Sequence, residues 1–268
     1  MRLKSFVWAI CLSFLSLGAA AQAKWGVVLM HGKTGGGALD SSLTRINSQL
    51  EAKGMLVLRP QMPWSRDRYL EGDWELAMRE IKGHVQTLRT QGATKVVLAG
   101  HSLGSPAALS YAARFADVDG VVMMAPGHVP HYYYECIPYS PIRMCAVKDS
   151  VDEARKLVAD AKGEERNRFN DINQGRRISL ITTARAYLSY FDPSSDAEMA
   201  VSAVRLPAHI PVLWIIGTDD RLVQEGRQYV FDKLPPNPKS QYLVMQGNHF
   251  NLPAVGASKI LDWIEQLQ

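Results

Sequence analysis

Val96-Val97-Leu98-Ala99-Gly100-His101-Ser102-Leu103-Gly104-Ser105-Pro106 is the stretch on which the reading of this chain turns. It contains Gly-x-Ser-x-Gly, with Gly100, Ser102 and Gly104 in the fixed positions. Alone, that pattern is weak, and its flanks carry the argument. A β-branched run at 95–99 leads in, an Ala-rich helical segment at 107–116 leads out, and Pro106 suits a helix's first turn. A strand-to-helix turn this sharp forces the serine into a strained backbone conformation. Only small residues two before and two after it avoid a clash. Such a turn projects the Ser102 hydroxyl from the sheet edge and leaves the next N–H, that of Leu103, free to bind an oxyanion.

On either side the chain alternates strand and helix. Trp25–Met30 is a continuous apolar run ending in His31-Gly32, as a strand buried on both faces requires. Leu39, Leu43, Ile46 and Leu50 recur at helical spacing, and strand-like runs follow at 55–58, 95–99 and 118–125. Trp74, Met78, Ile81, Val85 and Leu88 mark one face of a long helix between the second and third strands. The alternation resumes with strands at 212–216 and 242–245 and a closing helix through Ile260, Leu261, Ile264 and Leu267. Six strands separated by helices predict right-handed crossovers, a mainly parallel sheet and helices on both faces, an α/β fold. Residues 24–127 and 209–268 form its core. Residues 128–208 hold no convincing strand and read as a helical cap insertion, with helices expected near 151–169 and 178–191.

The first 23 residues read as a signal peptide: Arg2 and Lys4, an apolar stretch at 6–21, then Ala21-Gln22-Ala23 as the cleavage site. The apolar stretch is short for a membrane span, so export to a periplasm or beyond is expected, with no stable membrane anchor after cleavage. Cleavage removes two of the four net positive charges. Arg166, Arg168, Arg176 and Arg177 then read as a solvated face rather than a nucleic-acid site. Of three cysteines, Cys136 and Cys145 remain in an oxidising compartment, where a disulfide is expected across Pro138 and Pro141.

A serine hydroxyl needs a base, and the base an orienting acid. Ile215-Ile216-Gly217-Thr218-Asp219-Asp220 places carboxylates just past the fifth strand, and Gly247-Asn248-His249-Phe250 an imidazole just past the sixth. In a parallel sheet those ends share one edge. The order Ser102, Asp220, His249 resembles the α/β-hydrolase superfamily over nearly all of 25–267. His31-Gly32 is similar to that family's His-Gly motif, which implies an oxyanion donor in the Lys33 N–H beside that of Leu103. Gly217-Thr218-Asp219-Asp220 is similar to its Gly-x-x-Asp, which favours Asp220 over Asp219. The family's usual first two strands have no room before Trp25, so a reduced sheet is expected. The Lys33 side chain reads as exposed, its backbone alone being of use. His128, His131 and Tyr132, Tyr133 and Tyr134 open the insertion and either line a pocket or pack under the cap.

Gly32-Lys33-Thr34 is not a phosphate loop, because that pattern needs Gly where Val27 stands. No dinucleotide fingerprint or Cys/His metal cluster is present, and no cofactor is implied. The resemblance implies a secreted serine esterase acting on a small or lipid-like ester. An acyltransferase using the same three residues and a non-catalytic binding protein on the same fold stay open beside it.

Overall fold

A computed structural model describes residues 24–136 and 147–267. The strands are β1 (Trp25–Met30), β2 (Leu56–Leu58), β3 (Lys95–His101), β4 (Gly120–Met124), β5 (Arg166–Asn173), β6 (Arg176–Thr183), β7 (Val212–Gly217) and β8 (Gln241–Met245). Six of them form one sheet in the order β2-β1-β3-β4-β7-β8, every pair parallel. These are the six strands expected, with shifted ends: the fourth is shorter than 118–125, and the third runs on through His101.

Successive side chains of a strand point to opposite faces, and both faces are covered. Val28, Met30, Leu98, Val121 and Trp214 pack on one side. There they meet α2 (Trp74–Thr90) and α3 (Gly104–Phe115). Val27, Leu29, Val97, Val122 and Ile215 pack on the other. There they meet α1 (Thr44–Ala52) and the C-terminal helix Ala257–Gln266. Asp73, just before α2, accepts a bond from the Leu76 N–H and starts that helix.

The insertion departs from expectation. It carries α4 (Pro130–Tyr134), α5 (Lys148–Ala159), α6 (Ala184–Phe191) and α7 (Met199–Ala203). Between α5 and α6, however, β5 and β6 form an antiparallel hairpin, registered from Asn173 opposite Arg176 to Arg166 opposite Thr183. The cap is therefore mixed, and the helices expected over 151–169 and 178–191 are each cut short by a strand. The hairpin's two-residue turn, Gln174-Gly175, has φ of 51° and 75°. Left-handed pairs of this kind match the twist of flanking strands. Phe169 and Asp171 of β5 and Leu180 and Thr182 of β6 are buried. Two of those four are polar, and Ile172 beside Asp171 is buried as well, so neither hydrophobicity nor burial keeps a clean period of two. The arginines at 166, 168, 176 and 177 are exposed on this hairpin.

After β7 come α8 (Gly226–Tyr229) and, past β8, α9 (Leu252–Val255) and α10, the helix Ala257–Gln266. The predicted signal segment 1–23 and Cys145 lie outside the described residues, and with Cys145 the Cys136–Cys145 pairing.

Candidate active site

Ser102 follows β3 directly, with φ of 53°. The glycines around it are sterically obligatory. A Cβ on Gly100 would lie 2.0 Å from the Gly104 carbonyl oxygen, and one on Gly104 would lie 2.8 Å from that of Met30. Ser105 Oγ donates to the Gly100 carbonyl at 2.7 Å and ties the turn shut. The Ser102 N–H donates to the Met124 carbonyl at 3.1 Å, which fixes the serine to the end of β4.

Asp220 and His249 reach the same edge from β7 and β8. His249 Nδ1 lies 2.8 Å from Asp220 Oδ2, and His249 Nε2 lies 3.0 Å from Ser102 Oγ. A carboxylate only accepts, so Nδ1 carries the proton and Nε2 presents its lone pair to the serine hydroxyl. Asp220 is 5% exposed, and its other oxygen accepts from the Leu222 N–H at 3.1 Å. Asp219 is exposed and bonds the Thr218 hydroxyl instead. The adjacent carboxylates thus point to different places, and only Asp220 meets the imidazole.

Two buried histidines hold this frame. His31 Nδ1 donates to the Gly32 carbonyl at 2.7 Å, while its Nε2 accepts from the Met62 N–H at 3.1 Å. In a trans peptide N–H and C=O point oppositely. With the Gly32 carbonyl drawn to His31, the Lys33 N–H is turned away from it. Neither the Lys33 nor the Leu103 N–H is hydrogen-bonded among the described residues. Both residues line the cavity of about 320 Å³ that holds Ser102. His101 is the variable residue between Gly100 and Ser102. Its Nε2 donates to the His249 carbonyl at 2.7 Å and so anchors the loop that carries the imidazole. Burial, with a smaller contribution from His249, pulls the His101 pKa down to about 4 and keeps the ring neutral.

The sequence reading missed His101, since the motif leaves its position free. It also missed Gly127, where a Cβ would stand 2.9 Å from Ser102 Oγ. His128 and Tyr133 line the cavity. Tyr132 packs under the cap, stacked on Tyr229 at 4.4 Å between ring centres.

Lys33 requires a correction. Its side chain is 7% exposed, not free, and pairs with the fully buried Asp171 of β5 at 2.7 Å. Its Nζ also donates to the Ile172 carbonyl at 3.2 Å, and the Tyr69 hydroxyl donates to the other Asp171 oxygen. One residue therefore joins the loop after β1 to the cap. Nothing near Lys33 in sequence announces a carboxylate more than a hundred positions away.

Sheet order, the strained serine at the turn after β3 and the placement of Asp220 and His249 past later strands define an α/β-hydrolase. The family model described as serine aminopeptidase, S33 (Hydrolase_4) matches residues 65–252, and the chain belongs to that family. Among solved structures, a monoacylglycerol lipase from Paleococcus ferrophilus is similar at 21% identity and a TM-score of 0.63, over 91% of this chain and 95% of that one. Est1E from Butyrivibrio proteoclasticus, solved with ferulic acid bound, has 14% identity and a TM-score of 0.63, over 91% and 90%. The work on the metagenome-derived lipolytic enzymes LipS and LipT supplies another, at 15% identity and a TM-score of 0.60, over 91% and 94%. No curated protein sequence matches significantly.

Proposed function

We propose that this chain is an exported serine hydrolase that cleaves a carboxylic ester through an acyl-enzyme. The observation that carries the reading is the unbroken hydrogen-bonded run from Ser102 Oγ through His249 to Asp220, at 3.0 and 2.8 Å. His249 Nε2 takes the Ser102 proton as Oγ attacks the carbonyl carbon. The resulting oxyanion sits between the Lys33 and Leu103 N–H groups, where one donor is worth about 3–4 kcal/mol in the transition state. The tetrahedral intermediate collapses as His249 protonates the leaving oxygen, and the alcohol departs. A water, deprotonated by the same nitrogen, then attacks the acyl-enzyme. Its collapse releases the acid and restores Ser102. Asp220 holds the imidazole in the tautomer this cycle needs and stabilises the imidazolium.

An ester is favoured as substrate by the lipolytic and esterase structures this fold resembles. Export is favoured by the charged start, apolar stretch and Ala21-Gln22-Ala23. The exported chain would pair Cys136 with Cys145.

The decisive test is a fluorophosphonate probe together with turnover of an activated aryl ester. Wild type should be labelled at Ser102, and Ser102→Ala should lose labelling and at least ~10³-fold in kcat while keeping its circular dichroism. Comparable turnover by folded Ser102→Ala would overturn the serine mechanism.

A further inference from the structure

The loop after β1 lies against the nucleophile: a Cβ on Gly32 would stand 2.8 Å from that of Ser102. The peptide joining Gly32 to Lys33 carries one oxyanion donor. Its carbonyl accepts from His31 Nδ1 at 2.7 Å and from the Gly35 N–H at 3.0 Å. Those bonds orient the peptide, but His31 and Gly35 belong to the same loop and move with it. They do not by themselves fix its distance from Ser102.

That distance is set from outside the loop. Trp64 Nε1 donates to the His31 carbonyl at 2.8 Å, and the Trp64 carbonyl accepts from the Thr34 N–H at 2.9 Å. The first bond holds the peptide before the donor peptide, and the second holds the peptide after it. The Met62 N–H on His31 Nε2 and the Arg66 N–H on the Gly35 carbonyl, both at 3.1 Å, strengthen the same strap. Trp64 alone brackets the donor. Lys33 Nζ is also tied, to Asp171, but through a long flexible side chain that leaves the backbone freedom. The indole, by contrast, is a fixed point: it is fully buried, stacked on Trp74 with ring centres 6.3 Å apart and edge-on to His31 at 6.1 Å.

We propose that Trp64 is a positioning residue for the oxyanion, holding the Lys33 N–H at the place where negative charge develops. The inference rests on the hydrolase reading above and adds the residue that sets one of its two donors. Trp64 does not line the Ser102 cavity, so it acts through Lys33 and not on substrate. A donor stabilises a transition state because it is already in place, and a small displacement forfeits much of that.

The test pairs turnover of an activated aryl ester with inhibition by the matching trifluoromethyl ketone. Ser102 Oγ adds to the ketone carbon, the serine proton passes to His249 Nε2, and the ketone oxygen becomes an oxyanion. Two changes are made at Trp64: Trp64→Phe, and benzothienylalanine, which keeps the ring's shape and puts sulfur where the N–H was. Each should lower kcat about 10–100-fold with KM within about threefold. The ketone's inhibition constant should rise by the factor that kcat/KM falls. Rates are taken per serine labelled by a fluorophosphonate, so an unfolded fraction does not count. Trp74 supplies the control: its Nε1 donates to Ser110 Oγ at 2.9 Å in the same core, away from the loop. Benzothienylalanine there removes an equally buried N–H bond and should cost stability while kcat stays within about twofold. Trp64→Phe leaves a gap, and where it fails to fold the isostere decides. The proposal is overturned by unchanged kcat in the isostere at Trp64, by a loss confined to KM, by an equal kcat loss from the isostere at Trp74, or by an isostere at Trp64 that does not fold. A wild type that neither turns over esters nor binds the ketone overturns the hydrolase reading, and this inference falls with it.

Discussion

Along β1, β4 and β7 every residue is buried, and all those residues are apolar or glycine. Along the cap hairpin only some positions are buried, and those include Asp171 and Thr182. The sheet is held by apolar area covered on both faces, a non-directional force that neighbouring residues announce by their composition. The cap joins that apolar cluster through Phe169, Leu180, Tyr187, Tyr190 and Phe191, and adds polar links of long sequence separation. Lys33 reaches Asp171, Asn170 donates to Ser150 Oγ at 2.9 Å, the Tyr187 hydroxyl donates to the Asn170 carbonyl at 2.7 Å, and Ser189 Oγ accepts from the Trp74 N–H at 2.9 Å. The difference teaches where damage should fall: substitutions at the sheet's edge strike chemistry, and substitutions at the cap's links strike stability and substrate fit.

The largest effect should come from the sheet edge. Asp220→Asn removes the carboxylate that selects the His249 tautomer and should lower kcat by about 10³–10⁴-fold with little change in stability. Asp219→Asn should stay within about threefold, because that side chain does not meet the imidazole. Steady-state kinetics on both proteins check the ranking, and equal losses would erase the distinction drawn between the two carboxylates.

That pair also marks how far the sequence can be read. The strand ends bearing Ser102, Asp220 and His249 were legible because each follows an apolar run, and a parallel sheet gathers such ends on one edge. Gly-x-x-Asp even separated two adjacent aspartates. The hairpin was not legible. Its inward positions include Asp171 and Thr182, whose burial depends on partners distant in sequence. His101 was hidden for another reason: its contact is with a backbone carbonyl, which no side-chain pattern records.

Next in size is the link between the two regions. Lys33–Asp171 is a buried ion pair, and removing one partner leaves the other charged and unpaired. Lys33→Met and Asp171→Asn should each cost about 3–5 kcal/mol in denaturant unfolding. The double variant should cost clearly less than their sum, because no charge is then stranded. Lys33→Met leaves the backbone N–H in place, so its kcat should fall less than its KM rises. Additive costs would mean that the pair does not couple cap to core, and the two regions would then have to be treated as independent.

The smallest expected effect is shared by both regions and depends on pH. His101, in the core, has its pKa drawn from the ordinary 6.5 to about 4, and His128, in the cap, to about 3. Burial is the main cause in both. His31 is lowered in the same direction. Each ring is neutral when folded and free to protonate when unfolded, so the unfolded chain binds more protons below pH 6.5. Stability must therefore rise with pH through this window, and it is lost as pH falls from about 6.5 toward the folded values. At pH 5 the loss should be about 2 kcal/mol for each of His101 and His128, small beside a typical total of about 5–15 kcal/mol. Urea unfolding at pH 7.5 and pH 5 measures the sum, and His101→Gln and His128→Asn assign the shares. Each variant removes one titrating group, so each should flatten the pH dependence by its own part while lowering stability at pH 7.5. If both variants kept the wild-type slope, the protons taken up on unfolding would belong to other groups, and the two histidines would have no part in the acid sensitivity.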